Sequence, residues 1–254
     1  MSKLSNLALV CWGAVAMLAF SGAGFADQVA VTANPANGKK IFENGKGDNV
    51  PACATCHGDK AMGNDSMGTP RLANIGYVYI VKQLNNFAED KRKDLTMMQM
   101  NDIAKALTPQ DMRDLASYED SFPLDNPERS DLTQLKTDGT VVGETYKGKL
   151  LVRYGSDKVS ACKTCHGFDG RGADPVFPKI GHQKYVYLVN QLTHWRDASR
   201  ANDPKQMMEK IAQKLSDEDI SNAAAYLSQA SDSTAGDGME IENATVLTNV
   251  KIVK

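Results

Sequence analysis

Apolar residues recur at three- and four-residue spacing in several stretches of this chain, and each stretch returns about 108 residues later. Tyr77-Val78-Tyr79-Ile80-Val81-Lys82-Gln83-Leu84 lies over Tyr185-Val186-Tyr187-Leu188-Val189-Asn190-Gln191-Leu192, a helical rhythm in both copies. Upstream, Gly38 to Phe42 and Thr145 to Tyr154 read as the first helix of each copy. Downstream, Thr108-Pro109-Gln110-Asp111 and Ser216-Asp217-Glu218-Asp219 each put a hydroxyl at an N-cap and an acid three residues on, which starts a third helix. Pro109 suits a first helical position. The apolar spacing of Met100 to Tyr118 recurs in Met208 to Tyr226. Two long copies make a duplicated domain, not a solenoid of many short units.

The rhythm breaks in three places. Lys3, the apolar run Leu7 to Phe20 and the small-residue ending Gly24-Phe25-Ala26 form an export signal over 1–26, with Cys11 inside its apolar part. The run is short for a membrane span, which needs about 20 residues; left uncleaved, it would attach the protein to the membrane face. Ser121 to Val142 carries Pro123, Pro127 and Asp138-Gly139, which is linker chemistry. Beyond Ala230 the chain turns polar and then alternates from Thr245 to Lys254, as a strand or a disordered tail. The expected organisation is a signal (1–26), a first domain (27–120), a linker (121–142), a second domain (143–230) and a tail (231–254). The expected fold is all-α.

Composition adds little beyond class. The 254 residues are 42% hydrophobic and 24% charged, enough for two small globular domains. Without Lys3, 28 basic side chains face 31 acidic ones. That balance gives no case for nucleic-acid binding, and partners chosen by charge should present basic patches.

The cysteines carry the chemistry. Four of the five lie in Cys53-Ala54-Thr55-Cys56-His57 and Cys162-Lys163-Thr164-Cys165-His166, each string followed by glycine. C-x-x-C-H attaches c-type haem, because two thiols at that spacing can add to the two vinyl groups while the adjacent His reaches the iron. Structural zinc would bring the second cysteine pair within roughly 15 to 20 residues, and a thioredoxin-like pair would sit in a βαβ pattern that is absent. The reading is two covalently attached haem c groups, one per copy, and a protein that moves electrons.

Each iron then needs a sixth ligand. A thioether opposite His raises the reduction potential and closes the iron to substrates. Copy one offers Met97, Met98 and Met100, and copy two offers Met207 and Met208. Met100 precedes Leu107-Thr108 by the interval at which Met208 precedes Leu215-Ser216, which selects Met100 and Met208, with Met98 and Met207 in reserve. The expected metal ligands are His57, Met100, His166 and Met208, and no catalytic residue is expected. A haem-ligating His needs an acceptor on its other nitrogen, and a backbone carbonyl at Pro70 or Pro178 would serve. His182 and His194 lie over Asn74 and Asn86, so they are packed or surface histidines and not shared ligands. Trp195 lies over Phe87 and Arg200 over Arg92, an aromatic against haem or core and a basic partner for a propionate or for the other domain.

On these residues, with Phe177-Pro178-Lys179-Ile180-Gly181-His182-Gln183, Arg200-Ala201-Asn202-Asp203 and the methionines before Lys214-Leu215-Ser216, the chain resembles the dihaem cytochrome c4 family over roughly Pro35 to Gln229. The resemblance implies two tandem cytochrome c domains, each a few helices wrapped around a haem, in the periplasm or at its membrane face. It also implies that the carbonyls of Pro70 and Pro178 orient the ligating histidines and that Met100 and Met208 are sixth ligands. The expected function is an electron carrier from a respiratory donor, a quinol-oxidising complex or dehydrogenase, to a terminal oxidase or another carrier. A dihaem subunit of a flavocytochrome or quinoprotein dehydrogenase is the alternative. A dihaem peroxidase would need an open iron, which methionine on both sides opposes.

Overall fold

The computed structural model describes residues 32–124 and 127–230. The signal and the tail expected at either end lie outside the described residues. From Ala33, the described residues form one compact unit built from two helical copies. Copy one contains α1 (Pro35–Asn44), α2 (Ala54–His57), α3 (Tyr77–Ala88), α4 (Met100–Ala106) and α5 (Pro109–Asp120). Then comes α6 (Leu132–Thr137), and copy two contains α7 (Thr145–Tyr154), α8 (Lys163–His166), α9 (Tyr185–Arg196), α10 (Met207–Ala212) and α11 (Asp217–Gln229). The described residues form only isolated β-bridges and no extended strand.

In each copy the first helix crosses the last, α1 on α5 and α7 on α11. Glycine sets how close they come. A Cβ on Gly38 would lie 2.0 Å from the Asp114 carbonyl oxygen, and one on Gly148 would lie 1.9 Å from that of Asn222. Alanine at either position would force the helices apart. The same two partners also tie down the start of the first helix: the Asp114 carboxylate accepts the Asn34 N–H at 2.7 Å, and Asn222 Oδ1 accepts the Glu144 N–H at 2.6 Å.

Both last helices begin at the predicted residues, with complete capping boxes at Thr108/Asp111 and Ser216/Asp219. The short helices α4 and α10 lie at the start of the two stretches whose apolar spacing recurs. Met100 opens α4, and Met208 is the second residue of α10. Their first turns are held by side chains from upstream. The Asp94 carboxylate accepts the N–H groups of Thr96, Met97, Gln99 and Met100, and Asp203 accepts that of Met208 at 2.7 Å. Burial works against charge on Asp94, but those backbone donors outweigh it and hold the carboxyl below its usual range.

The segment between the copies is pinned. Leu132 and Leu135 of α6 pack on the second core. Ser130 is buried, its hydroxyl accepting the Tyr185 N–H at 2.9 Å and its carbonyl accepting from the Gln229 amide at 2.8 Å. The Tyr185 hydroxyl donates to the Val141 carbonyl at 2.8 Å.

Candidate functional site

Each cysteine string folds into one helical turn that ends on its histidine. The His57 N–H donates to the Cys53 carbonyl and the His166 N–H to the Cys162 carbonyl, both at 2.9 Å. The glycine that follows has φ of 77° (Gly58) and 71° (Gly167), a region closed to most side chains. The chain turns back there, and the carbonyl of each histidine accepts the N–H of Gly63 or Gly172. The turn leads to the proline. His57 Nδ1 lies 2.9 Å from the Pro70 carbonyl oxygen, and His166 Nδ1 lies 3.0 Å from that of Pro178. With Nδ1 donating, Nε2 is the free lone pair, which is the arrangement iron needs. Both rings are buried, and burial pushes both histidines below their ordinary range, so they are neutral imidazoles.

In copy one a single cavity gathers Cys53, Cys56, His57, Pro70, Met97 and Met100. Met98, a reserve ligand in the sequence reading, is 79% exposed and turns away at a φ of 57°. In copy two, Met207 is exposed and Met208 half-buried. The cysteines are free of disulfides. Burial pushes Cys53 up to about 12, with the Glu119 carboxylate adding to the effect, and Cys162 up to about 11. Among the described residues no three or more His, Cys, Asp or Glu side chains cluster as a metal site.

Between the copies the sequence repeat becomes a near-symmetric polar cluster. Arg92 donates to Gln83 at 2.9 Å within its own copy, and to Tyr187 and Gln191 of the other at 2.9 and 3.0 Å. Arg200 donates to Gln191 at 2.6 Å, and across to Tyr79 and Gln83 at 3.1 and 3.2 Å. Each guanidinium also lies over its own aromatic ring, Arg92 on Phe87 at 4.5 Å and Arg200 on Trp195 at 4.3 Å. Both arginines are buried, and among the described residues neither is paired with a carboxylate. Arg92, Gln83, Tyr187 and Gln191 also line the cavity, and Gln83 Nε2 is buried without a partner. A group that brings carboxylates to this wall fits, because it supplies counter-charge to Arg92 and an acceptor for Gln83 Nε2. The sequence aligned these residues but assigned no role to the glutamines or tyrosines. Their recurrence at one offset was the available signal.

A pocket that joins paired thiols, a neutral proline-held histidine, a methionine and a buried arginine is a haem c site, and the first part of it is built twice. The cytochrome c sequence profile matches residues 35–120 and 152–231. The chain belongs to the cytochrome c family, in its dihaem c4 group, and carries two covalently bound haem c groups at the cysteine pairs 53/56 and 162/165. It is a dihaem electron-transfer cytochrome. It is 36% identical to cytochrome c4 of Thiocapsa roseopersicina over 69% of this chain and 85% of that one. It is 32% identical to the thiosulfate dehydrogenase electron acceptor of Stutzerimonas stutzeri (strain A1501), over 82% of this chain and 93% of that protein. Among solved structures, reduced cytochrome c4 from Pseudomonas stutzeri superposes with a TM-score of 0.62 at 27% identity, over 79% of this chain and all of that one. A thiosulfate dehydrogenase from Marichromatium purpuratum superposes with a TM-score of 0.68 at 27% identity, over 78% of this chain but only 40% of that longer one.

Proposed function

We propose that this protein accepts electrons from a dehydrogenase in the periplasm and passes them to a further carrier or a terminal oxidase, through two haems with His/Met ligation. The observation that carries the reading is the proline-held histidine, built twice, with a methionine in the same cavity of copy one. Cys53 and Cys56, and Cys162 and Cys165, attach the haems. His57 and Met100, and His166 and Met208, ligate the irons, with the carbonyls of Pro70 and Pro178 fixing the histidine rings. Domain bounds of 27–120 and 143–230, behind a cleaved signal over 1–26, are part of the same reading. No helix among the described residues is long and apolar enough to cross a membrane.

Haem supplies one-electron redox chemistry, and the protein holds it closed. His57 with Met100, and His166 with Met208, would hold the irons, and haem so held would exchange single electrons without a change of ligand. Arg92 and Arg200, with Tyr79, Tyr187, Gln83 and Gln191, would supply the donors for haem propionates. Thiosulfate dehydrogenase is the favoured donor, because the likeness to an electron acceptor of that enzyme spans most of both chains. A permanent dihaem subunit is the second reading, favoured by the solved dehydrogenase in which the matching region is part of a longer chain.

Stopped-flow mixing of the oxidised protein with reduced thiosulfate dehydrogenase should deliver two electrons per chain. Failure to reduce either haem overturns that donor. Co-purification at fixed stoichiometry would favour the subunit reading. In a spectroscopic redox titration, Met100→His and Met208→His should each lower the potential of one haem, by on the order of 0.1 V within the roughly 0.8 V that axial ligation spans. Unmoved potentials would remove the methionine assignment.

A further inference from the structure

Copy one buries an acid that copy two does not have. Glu119 lies near the end of α5, after Tyr118, and the matching pair in α11 is Tyr226-Leu227. Glu119 is 3% exposed and Leu227 is 2% exposed, so the position is interior in both. Glu119 lines the cavity that holds Cys53, Cys56, His57 and Met100.

Among the described residues no cation pairs with it, and the cavity's Arg92 is held by Gln83, Tyr187 and Gln191. Helix α5 packs on α1 and α3. From α1, Glu43 is occupied with Lys39 and the Tyr118 hydroxyl. From α3, Tyr79 is engaged by Arg200, and Lys82 donates to the Asn202 carbonyl; Lys40 and Tyr77 complete the ionisable groups of those two helices. The cavity adds Arg92, held by Gln83 and Tyr187, with Lys93 and Asp94. On α5 itself, Asp114 caps α1 and Asp120 accepts the Gly76 N–H. Among the described residues none of these forms an ion pair or hydrogen bond with the Glu119 carboxylate. The negative end of the α5 dipole further disfavours its charge. Burial pushes Glu119 up to about 8.

We propose that Glu119 is a redox-linked proton site: it binds one proton when an electron enters domain one and releases it when the electron leaves, while domain two moves its electron alone. The oxidised site carries one more positive charge than the reduced site, and in an apolar cavity that charge acts strongly on a neighbouring carboxylate. Reduction removes the charge and raises the proton affinity of Glu119. By reciprocity the protonated acid raises the electron affinity of the haem. Oxidised domain one with ionised Glu119, one electron from the donor and one proton from water give reduced domain one with a neutral acid. The only bond formed is the O–H.

This proposal rests on the haem reading of domain one, and one experiment separates the two. Spectroelectrochemical titration of the full chain across pH 6 to 10 follows both midpoints, with Met208→His shifting the domain-two wave to identify it. Haem content is measured on the same samples. The expected result is a domain-one electron affinity that falls as pH rises around 8, by up to about tenfold per pH unit, beside a flat domain-two midpoint. Glu119→Gln and Glu119→Leu, the latter installing the residue of copy two, should both be flat. In the wild type the reduced-minus-oxidised infrared difference should contain a protonated-carboxyl band that Glu119→Gln lacks. Two haems with flat wild-type midpoints, a slope that survives in both variants, or no carboxyl band overturns the proposal alone. Fewer than two haems in the wild type overturns the haem reading, and the proposal with it.

Discussion

Domains one and two close the same corner with opposite chemistry. Where the first helix meets the last, domain one stacks Phe42, Tyr118 and Phe122, with ring centroids 4.9 to 6.0 Å apart. Domain two has Val152 and Ala230 at the positions of Phe42 and Phe122, and fills the corner with Arg153 and Asp169. The guanidinium grips the carboxylate through two hydrogen bonds of 2.8 Å, and Tyr226 donates to the same carboxylate. The positions matching Arg153 and Asp169 in domain one hold Glu43 and Lys60, charges of the opposite sign on the surface. One architecture thus tolerates an aromatic wedge or a buried ion pair at one place. What the fold requires there is filled volume and satisfied polar atoms, not a particular side chain.

The contrast breaks most sharply at its two centres. Phe42→Ala should destabilise domain one by about 3 to 5 kcal/mol through the cavity it leaves. Asp169→Ala should cost domain two less, about 1 to 3 kcal/mol, because half-buried Arg153 and Tyr226 lose their shared acceptor. Replacing Arg153 and Asp169 together by apolar residues should cost less than either replacement alone. Denaturant unfolding followed at each haem checks all three, and equal losses in both domains would show that they unfold as one.

A smaller effect is read from pH, and its sign differs between the halves. Burial opposes ionisation of Asp169, but Arg153 and Tyr226 outweigh it and hold the carboxyl below its usual value of 3.8. Its stabilisation is present above that pH and is lost as pH falls through the lower folded value. Glu119 runs the other way, from an ordinary 4.5 to about 8. Domain one should therefore lose stability as pH rises from 4.5 to about 8, by at most about 1.4 kcal/mol per pH unit. Denaturant midpoints against pH, for the wild type and Glu119→Leu, separate the two slopes. The smallest effect is one the halves should share: Thr108→Ala and Ser216→Ala each remove an N-cap and should each cost about 1 kcal/mol. Unequal costs would show that the two last helices are not energetically equivalent.

What the sequence disclosed follows the range of the interactions involved. The capping boxes at Thr108 and Ser216, the turns at the two cysteine strings and the helical faces starting at Tyr77 and Tyr185 depend on residues within a few positions of one another. Patterns over such windows show them. Helices α4 and α10 lie at the start of the stretches from Met100 and Met208 whose helical spacing recurs, but at seven and six residues they are too short for their ends to show, and their N–H groups are capped by Asp94 and Asp203, five or six residues back. Helix α6 was hidden by linker composition, although Asp131 caps it. Glu119 carries no local signal of its burial, which comes from the packing of α1 and α3 on α5. The crossing of Arg92 and Arg200 between domains depends on residues about 100 positions apart, and the repeat alone aligned them.

The residue after each ligand-orienting proline has a consequence for how this chain can be divided. Arg71, directly after Pro70, is fully buried and donates to the carbonyls of Lys179 and Gly181, while its own N–H and carbonyl are held by the Gln183 side chain. Lys179, directly after Pro178, reaches back to Asn74 and Ile75. The carbonyl that aims each histidine is thus one peptide bond from an anchor in the opposite half. A gene cut between the halves would yield two fragments that each keep a cysteine string but lose the outside grip on their own axial ligand. Duplication here produced two sites that steady each other, and neither half is a spare copy.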